Sequence, residues 1–146
     1  MKVRDVLKSK GEWIVTVGAD ALTADAVSLM VENNIGSLPV VDPSGQLVGV
    51  ISERDLIREL HDRGAEFAQT RISDVMTLEP VTCDIDSEVE DVMGTMSDRR
   101  IAKVPVIERG QLVGIVSVGD VIKTLYARTK EENHHLMGYL YGAVGV

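Results

Sequence analysis

Two tetrapeptides carry the most specific side-chain chemistry of this chain: Ser52-Glu53-Arg54-Asp55 and Ser117-Val118-Gly119-Asp120. Each Ser-x-x-Asp follows a short apolar run and precedes a helical pattern, so hydroxyl and carboxylate meet at a helix start. That arrangement has two uses. The spacing matches a capping box, in which the pair satisfies the unpaired N–H groups of the first turn. A carboxylate one turn in can also accept two hydrogen bonds from a ribose diol, beside a helix end suited to anions. Spacing alone leaves both open.

Other candidate groups carry less. Cys83 is the one cysteine, which excludes an intrachain disulfide or a cysteine metal cluster and reads as a small core residue. His134 and His135 are adjacent, about 100° apart on a helix, and do not chelate as an i, i+4 pair would. No phosphate loop of the Gly-x-x-x-x-Gly-Lys type and no Gly-x-Gly-x-x-Gly turn occurs. No nucleophile–base pair can be assembled, so the chain reads as a non-enzyme. Trp13 reads as cover for a loop. A net charge of −8 argues against a nucleic-acid partner, although one cleft can still be basic. No run approaches the ~18 apolar residues of a membrane span. The start, Met1-Lys2-Val3-Arg4-Asp5, lacks the apolar stretch of a secretory signal, making a cytoplasmic location the expectation.

The elements that must position the two Asp residues come from an internal repeat. Gln46-Leu47-Val48-Gly49-Val50-Ile51-Ser52 recurs as Gln111-Leu112-Val113-Gly114-Ile115-Val116-Ser117. Upstream, Ile35 to Val41 pairs with Ile101 to Ile107, and Val3-Arg4-Asp5-Val6-Leu7 pairs with Ile72-Ser73-Asp74-Val75-Met76. Each unit reads as strand, helix, strand, strand, helix. Val89, Val92, Met93 and Met96 follow the i, i+3, i+4, i+7 spacing of a buried helix face, and Ser87 with Glu90 suggests its capping box. Thr23, Ala26, Val27 and Met30 repeat that face, with Thr23 weakening the stripe. The runs Leu38–Val41 and Leu47–Ile51, joined by Pro43-Ser44-Gly45, predict a hairpin. Leu56, Ile57 and Leu60, with Val121, Ile122 and Leu125, are assigned to the buried side of the closing helices.

The sequence therefore predicts an α+β fold of two βαββα units, residues 1–66 and 67–128, joined through 64–71 and packed about a pseudo-two-fold axis with a ligand cleft between them. Residues 129–146 form a helical tail, where Leu136, Met137 and Leu140 have helical spacing and Gly138, Gly142 and Gly145 suggest fraying.

Leu38-Pro39-Val40 and Val104-Pro105-Val106, together with Gly49 to Asp55 and Gly114 to Asp120, make residues 3–127 resemble the CBS-domain family. The resemblance implies a regulatory module that binds an adenine nucleotide (AMP, ATP or NAD(H)), forms a homodimer and controls an unidentified enzyme or transporter. The alternative is a structural or partner-docking dimerisation module whose Ser-x-x-Asp elements only cap helices.

The resemblance also implies two sites, each shared between the repeats. Site A joins Val50, Ser52, Arg54 and Asp55 to Pro80, Val81 and Thr82, with Ala102 and Lys103. Site B joins Ile115, Ser117 and Asp120 to Ile14, Val15 and Thr16, with Gly36 and Ser37. In this scheme the backbone of the first strand reads the adenine edge, the aspartate holds the ribose, and cations hold phosphate. Site A, with Lys103 and Arg54 or Arg100, is then the tighter phosphate site, and site B the weaker.

Overall fold

The computed structural model describes residues 1–143 other than Glu12. Its order is α1 (Val3–Lys10), β1 (Val17–Gly18), α2 (Thr23–Asn33), β2 (Ser37–Val41), β3 (Leu47–Ser52) and α3 (Glu53–Arg63). After a 3-10 connector at Gly64–Gln69 come β4 (Thr77–Leu78), β5 (Cys83–Asp84), α4 (Val89–Arg99), β6 (Lys103–Glu108), β7 (Gln111–Ser117) and α5 (Val118–Ala143). The first sheet runs β1-β2-β3-β4 and the second β5-β6-β7. In each, a two-residue strand lies parallel to an antiparallel hairpin, with Val17 opposite Val40 and Cys83 opposite Val106. The hairpin registers match across the repeat: Pro39 faces Val50 and Pro105 faces Ile115.

The two units exchange their leading segments. Val3 and Val6 of α1 are fully buried in the core of the second repeat, among Val89, Val92, Val104 and Val116. Ile72, their counterpart, is fully buried in the core of the first repeat, beside Val17, Ala26 and Leu38. Backbone hydrogen bonds repeat the crossing in register. The Val3 N–H donates to Ser87 and that of Val89 to Met1. Likewise the Ile72 N–H donates to Ala21 and that of Thr23 to Thr70. The result is two α+β repeats packed about a pseudo-two-fold axis, each core completed by a piece of the other's sequence.

Two glycines follow from this crossing. A Cβ on Gly49 would lie 2.7 Å from the Met76 sulfur and 2.9 Å from the Thr77 carbonyl oxygen, while one on Gly114 would lie 3.1 Å from the tips of Leu7. The Gly of Gly-h-h-Ser is thus the point where the exchanged segment crosses its sheet.

Four expectations need correction. Of the six residues assigned to the buried side of the closing helices, only Leu56 and Val121 are buried, whereas Ile57, Leu60, Ile122 and Leu125 are 67%, 52%, 59% and 48% exposed. Their apolar arc is wider than one sheet can cover. Ser87 does not cap α4: its hydroxyl accepts from the Asp84 N–H, and the helix begins after Glu88. Thr23 does not weaken the α2 face, being fully buried with its hydroxyl donating to the Phe67 carbonyl, and Val27 turns outward instead. Finally, α5 continues for 26 residues through Gly138 and Gly142; Gly145 lies outside the described residues. No described helix is long and apolar enough to cross a membrane.

Candidate functional site

Both Ser-x-x-Asp elements fold as reciprocal caps. The Asp55 N–H donates to Ser52 Oγ (3.2 Å) and the Ser52 N–H to Asp55 Oδ2 (2.9 Å). Asp120 and Ser117 repeat this at 3.0 Å in each direction. In each aspartate Oδ2 serves the cap, and Oδ1 has no hydrogen-bond partner among the described residues. Capping and ligand contact are therefore compatible in one side chain.

A central cleft of about 550 Å³ opens between the two hairpins. Pro39 and Val50 from one repeat and Pro105 and Ile115 from the other form its apolar surface. Gly36, Ser37 and Ser52 add small polar groups, and Arg54, Arg100 and Lys103 bring three cations against one acid, Glu53. Arg100 holds the left-handed conformation at the end of α4 (φ 55), as Asn34 does at the end of α2 (φ 53). Asn takes that conformation cheaply and Arg does not, so the backbone that puts Arg100 at the rim is held by its surroundings.

A second cleft, of about 220 Å³, contains Asp120 and Ser117 with Ile115, Ile14, Val15, Ile35, Ser37, Lys103, Lys10 and Trp13. Here Lys10 Nζ donates to Asp120 Oδ2 and to the Ile115 carbonyl, both at 2.8 Å. Burial pushes the Asp120 carboxyl up, but the bonds from Lys10 and Ser117 outweigh it and hold the carboxyl below the usual range.

Most of the residues assigned to site B meet in this second cleft: Ile14, Val15, Ser37, Ile115, Ser117 and Asp120. Gly36 lies on the central cleft instead, and Thr16 lines neither. Of site A, Val50, Ser52, Arg54, Ala102 and Lys103 line the central cleft. Asp55 is half-buried and, like Pro80 and Val81, lines neither cleft. Thr82 borders a separate depression with Cys83, Asp84 and Ser87.

The divergence has a local cause. β4 ties residues 77–78 to the edge of β3, and the chain turns at Glu79 (φ 50) before reaching 80–82. On the other side α1 stays helical to Lys10, and no matching strand forms among the described residues. Residues 14–16 and 80–82 precede the short strands rather than belonging to them.

The expected poverty of site B in cations does not hold, because Lys103 lines both clefts and Lys10 enters the second. Lys10 was hidden in a stretch where the repeats differ in length; the basic end of α1 was the available signal. Trp13 covers little, being 67% exposed at the rim of the second cleft. Cys83 packs against the second core, its thiol pushed up to about 11 mainly by burial.

The CBS-domain family model matches residues 14–62 and 72–127. The chain belongs to the CBS-domain family. It is 36% identical over 151 residues to CBS domain-containing protein CBSX3, mitochondrial, of Arabidopsis thaliana, covering 96% of this chain and 72% of that one. Among solved structures, the CBS-domain containing protein ATU1752 from Agrobacterium tumefaciens aligns with a TM-score of 0.78 at 37% identity, over 84% of this chain and 92% of that one. The CBS domain pair of MJ0100, in complex with 5′-methylthioadenosine and S-adenosyl-L-methionine, aligns with a TM-score of 0.76 at 28% identity, over 88% and 98% of the two chains. The exchanged two-repeat architecture is thus a CBS pair.

Proposed function

We propose that this CBS pair is a regulatory module that senses an adenine nucleotide (AMP, ATP or NAD(H)) between its repeats. One observation carries the reading: Arg54, Arg100 and Lys103, against the single acid Glu53, line a mostly apolar inter-repeat cleft of about 550 Å³ in a chain of net charge −8. That volume lies within the roughly 300–1,000 Å³ usual for small-molecule sites. Three cations suit a phosphate-bearing ligand, each charge-assisted bond contributing about 1.5–3 kcal/mol. The adenosyl ligands of MJ0100 support the adenosine half of the reading. Asp120, which lines the second cleft, is assigned to ribose there, whereas Asp55 has an oxygen to spare but lines neither cleft.

A homodimer fits the exposed residues Ile57, Leu60, Ile122 and Leu125, which form matching apolar faces on α3 and α5. A second copy would cover them, and ligand-dependent change in that contact would pass the signal to a regulated enzyme or transporter. The same faces favour the alternative, a docking or dimerisation module in which the aspartates act only as caps.

Thermal unfolding with AMP, ATP, NAD(H), S-adenosylmethionine and 5′-methylthioadenosine separates the two. A ligand at 100 times its Kd stabilises the fold by about 2.7 kcal/mol, so a clear rise in Tm is expected with at least one nucleotide. A flat response across the panel, with a dimer by light scattering, selects the docking reading.

A further inference from the structure

Lys10 ends α1 and reaches into the second cleft. Its ammonium lies 2.8 Å from Asp120 Oδ2 and 2.8 Å from the Ile115 carbonyl oxygen, so one cation spans two groups of the cleft wall. The contact is partly open to solvent, the two side chains being 35% and 22% exposed. Trp13, Ile14 and Val15, just beyond Lys10, line the same cleft. At about 220 Å³ the space falls short of the roughly 300 Å³ at which small-molecule pockets begin. Asp55, the counterpart, forms no ion pair among the described residues. At its other end α1 is anchored, with Arg4 bridging Asp86 and Glu108 at 3.1 Å each.

We propose that Lys10 is a resident plug: its ammonium holds Asp120 Oδ2, one of the two carboxylate oxygens that a ribose diol would bridge, and an adenosine-containing ligand enters the second cleft only by displacing it. This rests on the assignment of Asp120 to ribose made above. A neutral diol competes poorly for a carboxylate already held by a cation, so the second cleft stays shut while the central one fills. Displacement frees the end of α1, an element of the second core, and so couples occupancy of this cleft to the packing of the exchanged segment. The two clefts then answer at different ligand concentrations.

Trp13 is the one tryptophan and lines this cleft, so its fluorescence reads this cleft and not the central one. The titrant is adenosine, because a ligand without phosphate cannot lose affinity merely through loss of a cation. Lys10→Ala is expected to bind adenosine at least about tenfold more tightly than the native chain, a change of about 1.4 kcal/mol. Lys10→Arg, which keeps the cation, is expected to behave as the native chain does, and Asp120→Ala to lose binding. Equal or weaker binding by Lys10→Ala overturns the plug. If calorimetry then still finds AMP in the central cleft, the sensing function stands without it. An equal gain for 2′,3′-dideoxyadenosine also overturns it, since the lysine would then block space and not the diol position. Binding at neither cleft in any of these variants overturns the plug and the sensing function together.

Discussion

The two exchanged segments follow one backbone plan and are held by different chemistry. The segment around Ile72 docks on the first repeat through apolar contacts and the strand β4, and among the described residues its charged side chains form no ion pair. Its counterpart α1 also buries Val3 and Val6, but it carries Arg4 to Asp86 and Glu108, Lys10 to Asp120, and Asp5 to Arg128. Ser73 stands where Arg4 does. The repeat gives both crossings one backbone plan, and a few side chains make one an apolar joint and the other an ion-paired one. Among the described residues, α1 but not the Ile72 segment contributes to either cleft.

The largest effect that would sharpen this contrast is at Ile72. Ile72→Ala should cost about 2–5 kcal/mol, and hydrogen exchange should show α2 losing protection before α4, although residue 72 belongs to the second repeat by sequence. Protection lost first in α4 would break the exchange picture. Next, Gly49→Ala should cost about 1–3 kcal/mol, because the added methyl meets the Thr77 backbone, and Gly114→Ala should cost less, because the Leu7 side chain can give way. Urea midpoints of the two variants give the order directly.

Smaller still, Arg100→Gly should raise stability by up to about 1 kcal/mol by relieving a left-handed arginine, while weakening AMP binding in calorimetry. Stability and affinity moving in the same direction would remove Arg100 from the ligand argument.

The smallest effect is electrostatic. The Lys2 N–H holds the Asp5 carboxyl below the usual range, and the Arg4 hydrogen bond does so for Asp86. For Asp120 the bonds from Lys10 and Ser117 prevail over burial. A carboxyl depressed in the folded state adds stability that is complete above its unfolded value of about 4 and is lost as pH falls through the folded value. Acid should therefore loosen α1 before the Ile72 segment, and added salt at neutral pH should act on the same side. Exchange rates of α1 amides at pH 3 and pH 7 measure this; equal loosening of both segments would erase the distinction.

The fold was legible because duplication repeats its own evidence: Gly-h-h-Ser-x-x-Asp and h-Pro-h each occur twice in register, and a helical period such as Val89, Val92, Met96 reports burial directly. The exchange was not legible, since the pairing of Val3–Leu7 with Ile72–Met76 shows that the segments are equivalent but not which core each enters. The outward turn of Ile57 and Ile122 was missed for a related reason, because apolar periodicity marks a face and not what covers it. At the site, Ser117, Asp120, Ile14 and Val15 follow from the motif and its counterpart, whereas Lys10 sits where the repeats differ in length and alignment has nothing to say. The absence of Pro80 and Val81 from the central cleft depends on β4, two residues long and below what hydrophobic patterning can announce.

The crossing of the leading segments also bears on how the chain comes apart. Scission in the connector Gly64–Gln69 would yield two fragments, each missing a buried part of its own interior and carrying the piece the other needs. Such halves should remain clasped after the backbone is cut, and separately expressed halves should be mutually dependent for solubility.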